Sequence, residues 1–212
     1  MTVIWYIACC AVGYLCGCIN TAAIIARIKG FDIRTKGSGN AGASNALVTM
    51  GKGAAVVTAL VDIFKAFIPV FLLQHIIALP EGGQHLPVAT GVAVILGHMF
   101  PFWMQFRGGK GYASLLGMIL ALDWRFFLVC MVILGLILLI TRYIALATVT
   151  CTAALPVYWQ IVTGQWIETG LLILLGCVII YKHIENLKRI KNGTEIPLGK
   201  KKKPNENKDP EQ

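Results

Sequence analysis

The sequence predicts an all-α integral membrane protein with seven transmembrane helices, some of them short. Hydrophobic residues make up 57% of the 212-residue chain, which exceeds their share in soluble domains. They are gathered in long apolar segments, and a helix needs about 20 such residues to cross a bilayer. Most Lys and Arg residues lie between these segments, in alternate loops, as is typical of membrane proteins.

The predicted spans are seven apolar segments, at residues 3–26, 54–79, 86–106, 111–122, 126–141, 144–162 and 167–181. The first cation is Arg27, so we expect the first segment to remain as a spanning helix and not to be a cleaved signal. The segments 111–122 and 126–141 are short for a crossing. If both cross, the chain has seven spans; if they form a re-entrant or interfacial pair, it has five.

Positive charge sorts the loops between the two sides of the membrane. The cations are gathered in residues 27–52 and 107–110, at Arg142 and from Lys182 onward. The loops 80–85 and 163–168 hold Glu81 and Glu168 but no Lys or Arg. The positive-inside rule places the cation-rich group in the cytoplasm, with the N-terminus outside. The net charge of +9 therefore reflects loop asymmetry, and we expect no nucleic-acid partner.

Residues 1–196 are expected to form one multi-pass membrane domain, followed by a charged cytoplasmic tail at 197–212. The tail contains Pro and a run of four Lys at 200–203, so we expect it to be disordered and to touch anionic lipid. The seven cysteines lie in apolar segments and form no C-x-x-C pair. This favours small buried residues over disulfides or a metal site.

Residues 36–45 form the most informative loop of the chain. Their sequence, Lys-Gly-Ser-Gly-Asn-Ala-Gly-Ala-Ser-Asn, combines small residues that let the backbone fold tightly with hydroxyl and amide donors. Such a backbone can point several N–H groups at one ligand, and Arg34, Lys36 and Lys52 favour an anion. The loop is therefore predicted to bind phosphate at the membrane surface, with a flexible linker as the alternative.

Residues 108–111, Gly-Gly-Lys-Gly, predict a second anion site. They precede an apolar helix starting near Tyr112, so the glycine N–H groups, the helix N-terminus and the charge of Lys110 can act together. The G-x-x-x-x-G-K-[ST] spacing of a Walker loop is absent. A tight turn with an interfacial Lys is the alternative interpretation.

Ionisable residues within the apolar segments are costly unless they are paired. We expect Asp62 and Lys65, one helical turn apart, to form an intramembrane pair that orients a loop. His98 is expected to be a structural histidine bonded to backbone near Pro101, and a catalytic histidine is the alternative.

The third polar segment begins with His183 at the end of the last span. With Glu185 and Asn186 beside it, we expect His183 to act in the site; a histidine that only interacts with the helix dipole is the alternative. The predicted topology puts this segment and both glycine-rich loops on one face. Two phosphate sites without a Ser-His-Asp set favour acyl transfer from an acyl phosphate to a phosphorylated alcohol.

From about Tyr14 to Glu195 the chain resembles the bacterial membrane acyl-phosphate:glycerol-3-phosphate acyltransferases. The resemblance rests on residues 37–45, on Gly-His at 97–98 followed by 108–111, and on the pattern His-x-Glu-Asn-x-x-Arg at 183–189. It implies seven spans in the bacterial inner membrane and an active site facing the cytoplasm.

The implied reaction moves a fatty acyl group from acyl phosphate to the 1-hydroxyl of glycerol 3-phosphate. The products would be lysophosphatidate (1-acylglycerol 3-phosphate), a phospholipid precursor, and phosphate. The resemblance implies no metal and no cofactor. Its implied partners are the two substrates, membrane lipid and the acyl-phosphate-forming enzyme.

The resemblance also implies the roles of individual residues. The acyl-phosphate site would comprise Ser38, Gly39, Asn40, Gly42 and Asn45. The glycerol-phosphate site would comprise Gly108, Gly109, Lys110, His183 and Asn186. Of these, Ser38, Lys110, His183 and Asn186 would be catalytic, and we expect Asp32, Arg34, Asp62, Lys65, His98 and Glu185 to support them. The leaving phosphate would take the hydroxyl proton, and preset donors would stabilise the oxyanion.

The chain departs from the family pattern at several positions. Val48 stands in place of the usual Arg, Ala145 in place of a Ser, and Asn20 in place of a Pro. The Arg matters most, because a charge-assisted phosphate contact contributes about 1.5–3 kcal/mol. Either Lys52 or Arg34 compensates for it, or the chain is a paralogue with a different phosphorylated acceptor.

A small transporter for a phosphorylated solute is the alternative of a different class. Against it, the ionisable residues are predicted to crowd one face of the membrane, whereas transporter sites usually lie near the midplane. The H-x-x-x-x-D signature of other lipid acyltransferases is absent from the sequence.

Overall fold

The structure, a computed structural model, describes residues 1–198. Within that range its regular elements are nine α-helices and two 3₁₀ turns. The helices are α1 (Thr2–Gly17), α2 (Thr21–Ile28), α3 (Ala43–Met50), α4 (Lys52–His75), α5 (Leu86–Met99), α6 (Tyr112–Leu122), α7 (Trp124–Thr141), α8 (Ile144–Thr163) and α9 (Trp166–Lys191); the turns are Ile33–Thr35 and Phe102–Met104. The all-α class is confirmed for these residues, and the tail at 199–212 lies outside them.

Six helical stretches are long and apolar enough to cross a membrane within the described residues. They are Thr2–Ile28, Lys52–His75, Leu86–Met104, Trp124–Thr141, Ile144–Thr163 and Trp166–Lys191. Of the two short predicted segments, 126–141 becomes the full-length helix α7, whereas 111–122 becomes α6 with 11 residues. A helix of that length rises only about 16 Å, so α6 falls short of the six by length.

The first predicted span, 3–26, is interrupted and is not the single helix expected. Helix α1 ends at Gly17, and Asn20 caps α2 because its Oδ1 accepts the Ala23 N–H at 2.9 Å. The break frees the carbonyl of Ile19, which accepts a hydrogen bond from Lys65 Nζ at 2.7 Å. A backbone carbonyl released inside an apolar bundle needs such a partner, and this one is a buried ammonium group.

Helix α6 lies in the interior of the bundle. Its side chains Leu115, Met118 and Ile119 are buried, and Gly117 approaches α4 so closely that a Cβ there would overlap the Ile63 carbonyl. The neighbouring α7, in contrast, has only two buried residues, Phe126 and Cys130. Because other helices surround α6, its length need not match the bilayer thickness.

The bundle end away from the glycine-rich loops has its own polar contacts. The carboxylate of Glu168 accepts a hydrogen bond from Trp159 Nε1 at 2.5 Å and lies 2.9 Å from His85 Nδ1. A cavity of about 340 Å³ beside Glu168 is also lined by Asp123, the residue that follows α6. Helix α6 therefore starts at the glycine-rich end and finishes at the opposite one.

The cysteines are free thiols, as expected, but not all of them are buried. Cys18, Cys130 and Cys151 are buried, whereas Cys177 is exposed on α9. The expectation of a small buried residue is wrong for Cys177, which lies on the outer surface of an apolar helix. Among residues 1–198, no group of three His, Cys, Asp or Glu side chains could hold a metal ion.

Candidate active site

Residues 36–45, hereafter loop 1, are folded by the buried amide of Asn45. Its Oδ1 accepts the Ser38 N–H at 2.9 Å, and its Nδ2 donates to the carbonyls of Ile33 and Lys36 at 3.1 and 3.0 Å. These contacts use both donors and one acceptor position of the amide. Asn45 thus shapes the loop, and the expectation that it contacts the acyl phosphate directly is corrected.

The middle of loop 1 is open to a ligand. Ser38 is exposed, while its N–H and that of Gly39 are committed to hydrogen bonds inside the loop. Asn40 and Gly42 lead into the first turn of α3. There the Asn45 and Ala46 N–H groups donate to the Gly42 carbonyl, which leaves those of Ala43 and Ser44 for a ligand. The hydroxyl of Ser38 and this positive helix end together suit an anion.

Arg34 joins loop 1 to the chain after α5. Its Nη2 donates to the Asp32 carboxylate at 2.7 Å, and its Nη1 donates to the Met104 carbonyl at 2.8 Å. The hydrogen bonds from Arg34 lower the pKa of Asp32, so the pair stays charged. These contacts use three of the five guanidinium N–H groups, so Arg34 as well as Lys52 remains a candidate for the phosphate contact missing at Val48.

Residues 97–111, hereafter loop 2, turn back along the end of α5. The N–H of Gly108 donates to the Met99 carbonyl and that of Gly109 to the His98 carbonyl, both at 3.1 Å. A Cβ on Gly108 would overlap the same His98 carbonyl. The prediction that these two N–H groups bind phosphate is therefore wrong. The glycines instead permit the close return of the chain, which leaves Lys110 and the start of α6 facing a ligand.

Two residues with left-handed backbone precede these glycines. Gln105 has φ of 57° and Phe106 has φ of 58°, a conformation that costs non-glycine residues about 1–2 kcal/mol each. The turn carries the aromatic side chains of Phe102 and Phe106 outward, beside the exposed Arg107. Exposed phenylalanine rings next to a cation suit a segment that lies at the lipid surface.

Lys110 begins a series of side-chain hydrogen bonds that ends at residues beyond α9. Its Nζ donates to Asn186 Oδ1, and Asn186 Nδ2 donates to Glu195 Oε1 at 2.5 Å. The other oxygen of Glu195 accepts from Arg189 Nε at 2.6 Å. Sequence reasoning assigned no role to Glu195 or Arg189. A lone acid at the end of a cation-rich segment was the available signal for their pairing.

Burial lowers the pKa of Lys110 to about 8, and the nearby charge of Arg189 adds to this effect. The side chain therefore approaches the range in which it exchanges its proton near neutral pH. A cation that is poorly solvated and poorly neutralised by its neighbours gains most when an anion arrives. Lys110 thus has the electrostatics of a phosphate ligand.

His183 is buried on the last turns of α9, close enough to Lys110 and Glu195 for their charges to act on it. Its Nδ1 donates to the Ile179 carbonyl at 2.8 Å. Nε2 is then the acceptor nitrogen of the neutral ring. Glu185, in contrast, is exposed and pairs with Lys188 at 2.9 Å, so the structure gives no support to its expected role in the site.

A buried ionic cluster lies beneath the loops. Lys65 Nζ is 2.7 Å from Asp62 Oδ1, which confirms the predicted pair, and 2.9 Å from His98 Nδ1. Asp62 Oδ1 lies 3.4 Å from the same nitrogen of His98. The expectation that His98 bonds to backbone near Pro101 is wrong, because its ring nitrogen faces these two charged side chains.

The three polar segments meet around Gly109 and Lys110. The Ala41 carbonyl of loop 1 lies 3.1 Å from the position of a Cβ on Gly109, and Lys110 contacts Asn186 of α9. Loop 1, loop 2 and the end of α9 therefore lie together at one end of the bundle, as the charge pattern led us to expect.

The sequence pattern of the family described as glycerol-3-phosphate acyltransferase matches residues 7–193. The chain belongs to this family. A glycerol-3-phosphate acyltransferase of Clostridioides difficile is 38% identical over 206 residues, covering 95% of this chain and 100% of the relative. Glycerol-3-phosphate acyltransferase 1 of Oceanobacillus iheyensis is 38% identical over 201 residues, covering 92% and 95%.

Two solved structures of one family member share the fold. They are crystal structures of PlsY (YgiH), an integral membrane glycerol 3-phosphate acyltransferase. The glycerol 3-phosphate form aligns with a TM-score of 0.82 at 32% identity, covering 92% of this chain and 96% of that one. The lysophosphatidic acid form aligns with a TM-score of 0.79 at 31% identity, covering 92% and 95%. The resemblance seen in the three motifs is thereby confirmed, and this chain is an integral membrane acyltransferase.

Proposed function

We propose that this protein transfers a fatty acyl group from acyl phosphate to the 1-hydroxyl of glycerol 3-phosphate. The products are lysophosphatidate and inorganic phosphate, and the reaction serves phospholipid biosynthesis. Family membership supports the activity. The observation that carries it at the level of this chain is the junction of two anion-binding segments, with Ala41 of loop 1 against Gly109 and Lys110 bonded to Asn186.

The acyl phosphate binds at loop 1 in this proposal. The Ser38 hydroxyl, Asn40 and the N-terminal turn of α3 contact its phosphate group. Gly39 and Gly42 let the backbone approach it, and Asn45 holds the loop in shape through its three hydrogen bonds. The acyl chain extends into lipid, on the side where Phe102 and Phe106 are exposed.

Glycerol 3-phosphate binds between loop 2 and α9. Lys110 contacts its phosphate, since a desolvated cation binds such a group strongly. Asn186 is held by Lys110 and Glu195 and fixes the position of that cation. His183 Nε2 accepts a hydrogen bond from the 1-hydroxyl, because Nδ1 is committed to Ile179.

The chemical step then needs no cofactor. The hydroxyl oxygen attacks the carbonyl carbon of the acyl phosphate, an ester bond forms, and the bond from that carbon to the phosphate oxygen breaks. The hydroxyl proton, which is hydrogen-bonded to His183 Nε2 in the bound state, passes by way of this nitrogen to the departing phosphate, so charge and atoms balance. Alignment of the two bound reactants and fixed donors at the developing oxyanion supply the acceleration.

The test uses purified protein in lipid nanodiscs with palmitoyl phosphate and radiolabelled glycerol 3-phosphate. We expect lysophosphatidate and phosphate to appear in a one-to-one ratio. Palmitoyl-CoA replaces palmitoyl phosphate in the control and should give no product. Product from the CoA ester alone, or from neither donor, contradicts the proposal.

A different phosphorylated acceptor is the second candidate. The observation that favours it is Val48, a 45% exposed side chain where the family pattern has Arg. Competition of glycerol 3-phosphate with a panel of small phosphorylated alcohols distinguishes the two candidates. The preferred acceptor has the highest kcat/KM.

We further propose that α6 is a seventh crossing in the bacterial inner membrane, within a single domain that spans residues 1–196. The ends of α6 support this, since it begins at loop 2 and finishes at Asp123, in the cavity shared with Glu168. Lys and Arg in the loops at the site end support a cytoplasmic active site. That side also suits supply of acyl phosphate by the enzyme that forms it.

A further inference from the structure

The buried cluster of Asp62, Lys65 and His98 has contacts that reach beyond its own members. All three side chains are at most 4% exposed. An ammonium group only donates, so His98 Nδ1 accepts from Lys65 and the ring proton lies on Nε2. The Lys65–Asp62 contact is a close ion pair without the alignment of a hydrogen bond, which leaves the ammonium protons directed at other acceptors.

One arm of this cluster leads to loop 1. Lys65 Nζ donates to the Ile19 carbonyl at the break between α1 and α2, at 2.7 Å. The next residue, Asn20, donates from Nδ2 to the Ala41 carbonyl at 3.0 Å. Lys65 is thus connected to loop 1 through the backbone between Ile19 and Asn20 and through the side-chain amide of Asn20.

The other arm leads to loop 2. The His98 ring bound to Lys65 lies directly against Gly109, with no room for a side chain there, and the Gly109 N–H bonds to the His98 carbonyl. Gly109 is followed by Lys110. Lys65 Nζ therefore contacts both the backbone next to Asn20, which holds loop 1, and the His98 ring, which holds loop 2.

We propose that Lys65 is a positioning residue for acyl transfer, which sets the spacing between loop 1 and loop 2. The inference rests on the proposed function, because the spacing matters only if each loop holds one reactant. Lys65 contacts neither substrate in this proposal. Each loop keeps its own internal hydrogen bonds without Lys65, so each reactant still binds, but the two are misaligned. A displacement of about 1 Å can cost about 100-fold in rate.

A purely structural role is separated from positioning by a charge-neutral double variant. Lys65→Met alone leaves the buried Asp62 carboxylate unpaired, which is strongly destabilising. Lys65→Met combined with Asp62→Asn removes both charges, so it should recover most of the thermal stability lost in the single variant. It does not recover the hydrogen bonds from Lys65 to Ile19 and His98.

The measurements are the melting temperature, glycerol 3-phosphate binding by calorimetry, and kcat expressed per binding site. We expect the double variant to bind with a Kd within about threefold of the starting protein and to turn over about 100-fold more slowly per site. If kcat per site recovers together with stability, the cluster only stabilises the fold. Failure of the double variant to bind glycerol 3-phosphate also overturns the proposal.

A second variant tests the loop 2 arm separately. In His98→Asn, the amide oxygen can still accept from Lys65, but the part of the ring that touches Gly109 is missing. We expect an unchanged Kd and a lower kcat per site, and a kcat within threefold of the starting protein contradicts positioning. If the unmodified protein makes no lysophosphatidate at all, the proposed function fails instead, so the two failures are distinguishable.

Discussion

The imidazole of His98 fills the space that a side chain at position 109 would need. The Gly109 N–H donates to the His98 carbonyl at 3.1 Å, and a Cβ on Gly109 would overlap His98 Nε2. On its other side, the same Cβ position is 3.1 Å from the Ala41 carbonyl. Position 109 is therefore enclosed between a buried ring and the backbone of the neighbouring loop.

Gly109→Ala should lower kcat by about 100-fold, because the methyl group displaces either His98 or loop 1 and misaligns the reactants. Overpacking of this kind also costs about 1–3 kcal/mol of stability. Gly170→Ala is the matched control, since among residues 1–198 nothing outside its own helix backbone lies within 4 Å of a Cβ there. It should keep full activity. An active Gly109→Ala variant would show that the two loops tolerate separation.

The activity should fall as the pH rises through about 8. Lys110 has a pKa of about 8, below its ordinary value, because it is buried and lies near Arg189. Its charged form dominates below that pH and is lost above it, so kcat/KM for glycerol 3-phosphate should decline by up to tenfold per pH unit. Rate profiles from pH 7 to 9.5 measure this. Lys110→Arg keeps its charge and should move the decline beyond this range; a flat profile for the unmodified protein contradicts the assignment.

Asp32→Asn should raise the KM for acyl phosphate several-fold. The Asp32 carboxylate orients Arg34, whose Nη1 connects loop 1 to the Met104 carbonyl. Hydrogen bonds to charged groups contribute about 1.5–3 kcal/mol, and partial exposure of this pair places the effect at the lower end. Glu81→Gln removes an exposed carboxylate at the opposite bundle end and serves as the control. Equal KM values for both variants would rule out the bridging role of Arg34.

Val48→Arg should lower the KM for glycerol 3-phosphate by about one decade or more, if that is the acceptor. The side chain is 45% exposed, so an Arg fits without burial, and a bidentate contact to phosphate becomes available. The gain should fall on KM because the phosphate handle is bound similarly in the ground and transition states. Val48→Gln controls for size without charge. An unchanged or higher KM for the Arg variant points to a pocket rebuilt for another acceptor.

Cysteines placed at the two bundle ends should be labelled from opposite sides of the membrane. Glu81→Cys lies in an exposed loop, 80–85, that contains no Lys or Arg, and Asn192→Cys follows α9 at the site end. The positive-inside rule predicts that an impermeant maleimide labels residue 81 from outside and residue 192 only in opened vesicles. The unsubstituted protein gives the background from its own cysteines. Labelling of both positions from one side would mean that an even number of crossings separates them, which contradicts the proposed topology.

The sequence revealed which segments meet but not what each residue does there. Composition and loop charge predicted the membrane class, and the three motifs predicted the family, because both signals are local in the chain. The predicted phosphate contacts of the Gly108 and Gly109 N–H groups are wrong, since a glycine pattern cannot tell a free N–H from one that bonds back to α5. The predicted phosphate contact of Asn45 is wrong for the same reason, because the partners of its amide are fixed only by the folded loop.

Long-range pairings were the least predictable part of the site. Asp62 and Lys65 could be paired because they are one turn apart on a helix. The contact of His98 with this ion pair depends on how α4 packs against α5, which no spacing in the sequence encodes. The contact between Glu195 and Asn186 could not be predicted for a related reason, since it requires the chain to turn back after α9.

The exposed rings of Phe102 and Phe106 have a consequence for how this enzyme must be assayed. In the proposed mechanism the acyl chain enters beside these rings from the lipid, while glycerol 3-phosphate arrives from solution. The concentration that governs saturation by the acyl donor is then its mole fraction in the surrounding lipid or detergent. Diluting the donor with inert amphiphile at constant total amount should slow the reaction, although nothing in the aqueous phase has changed.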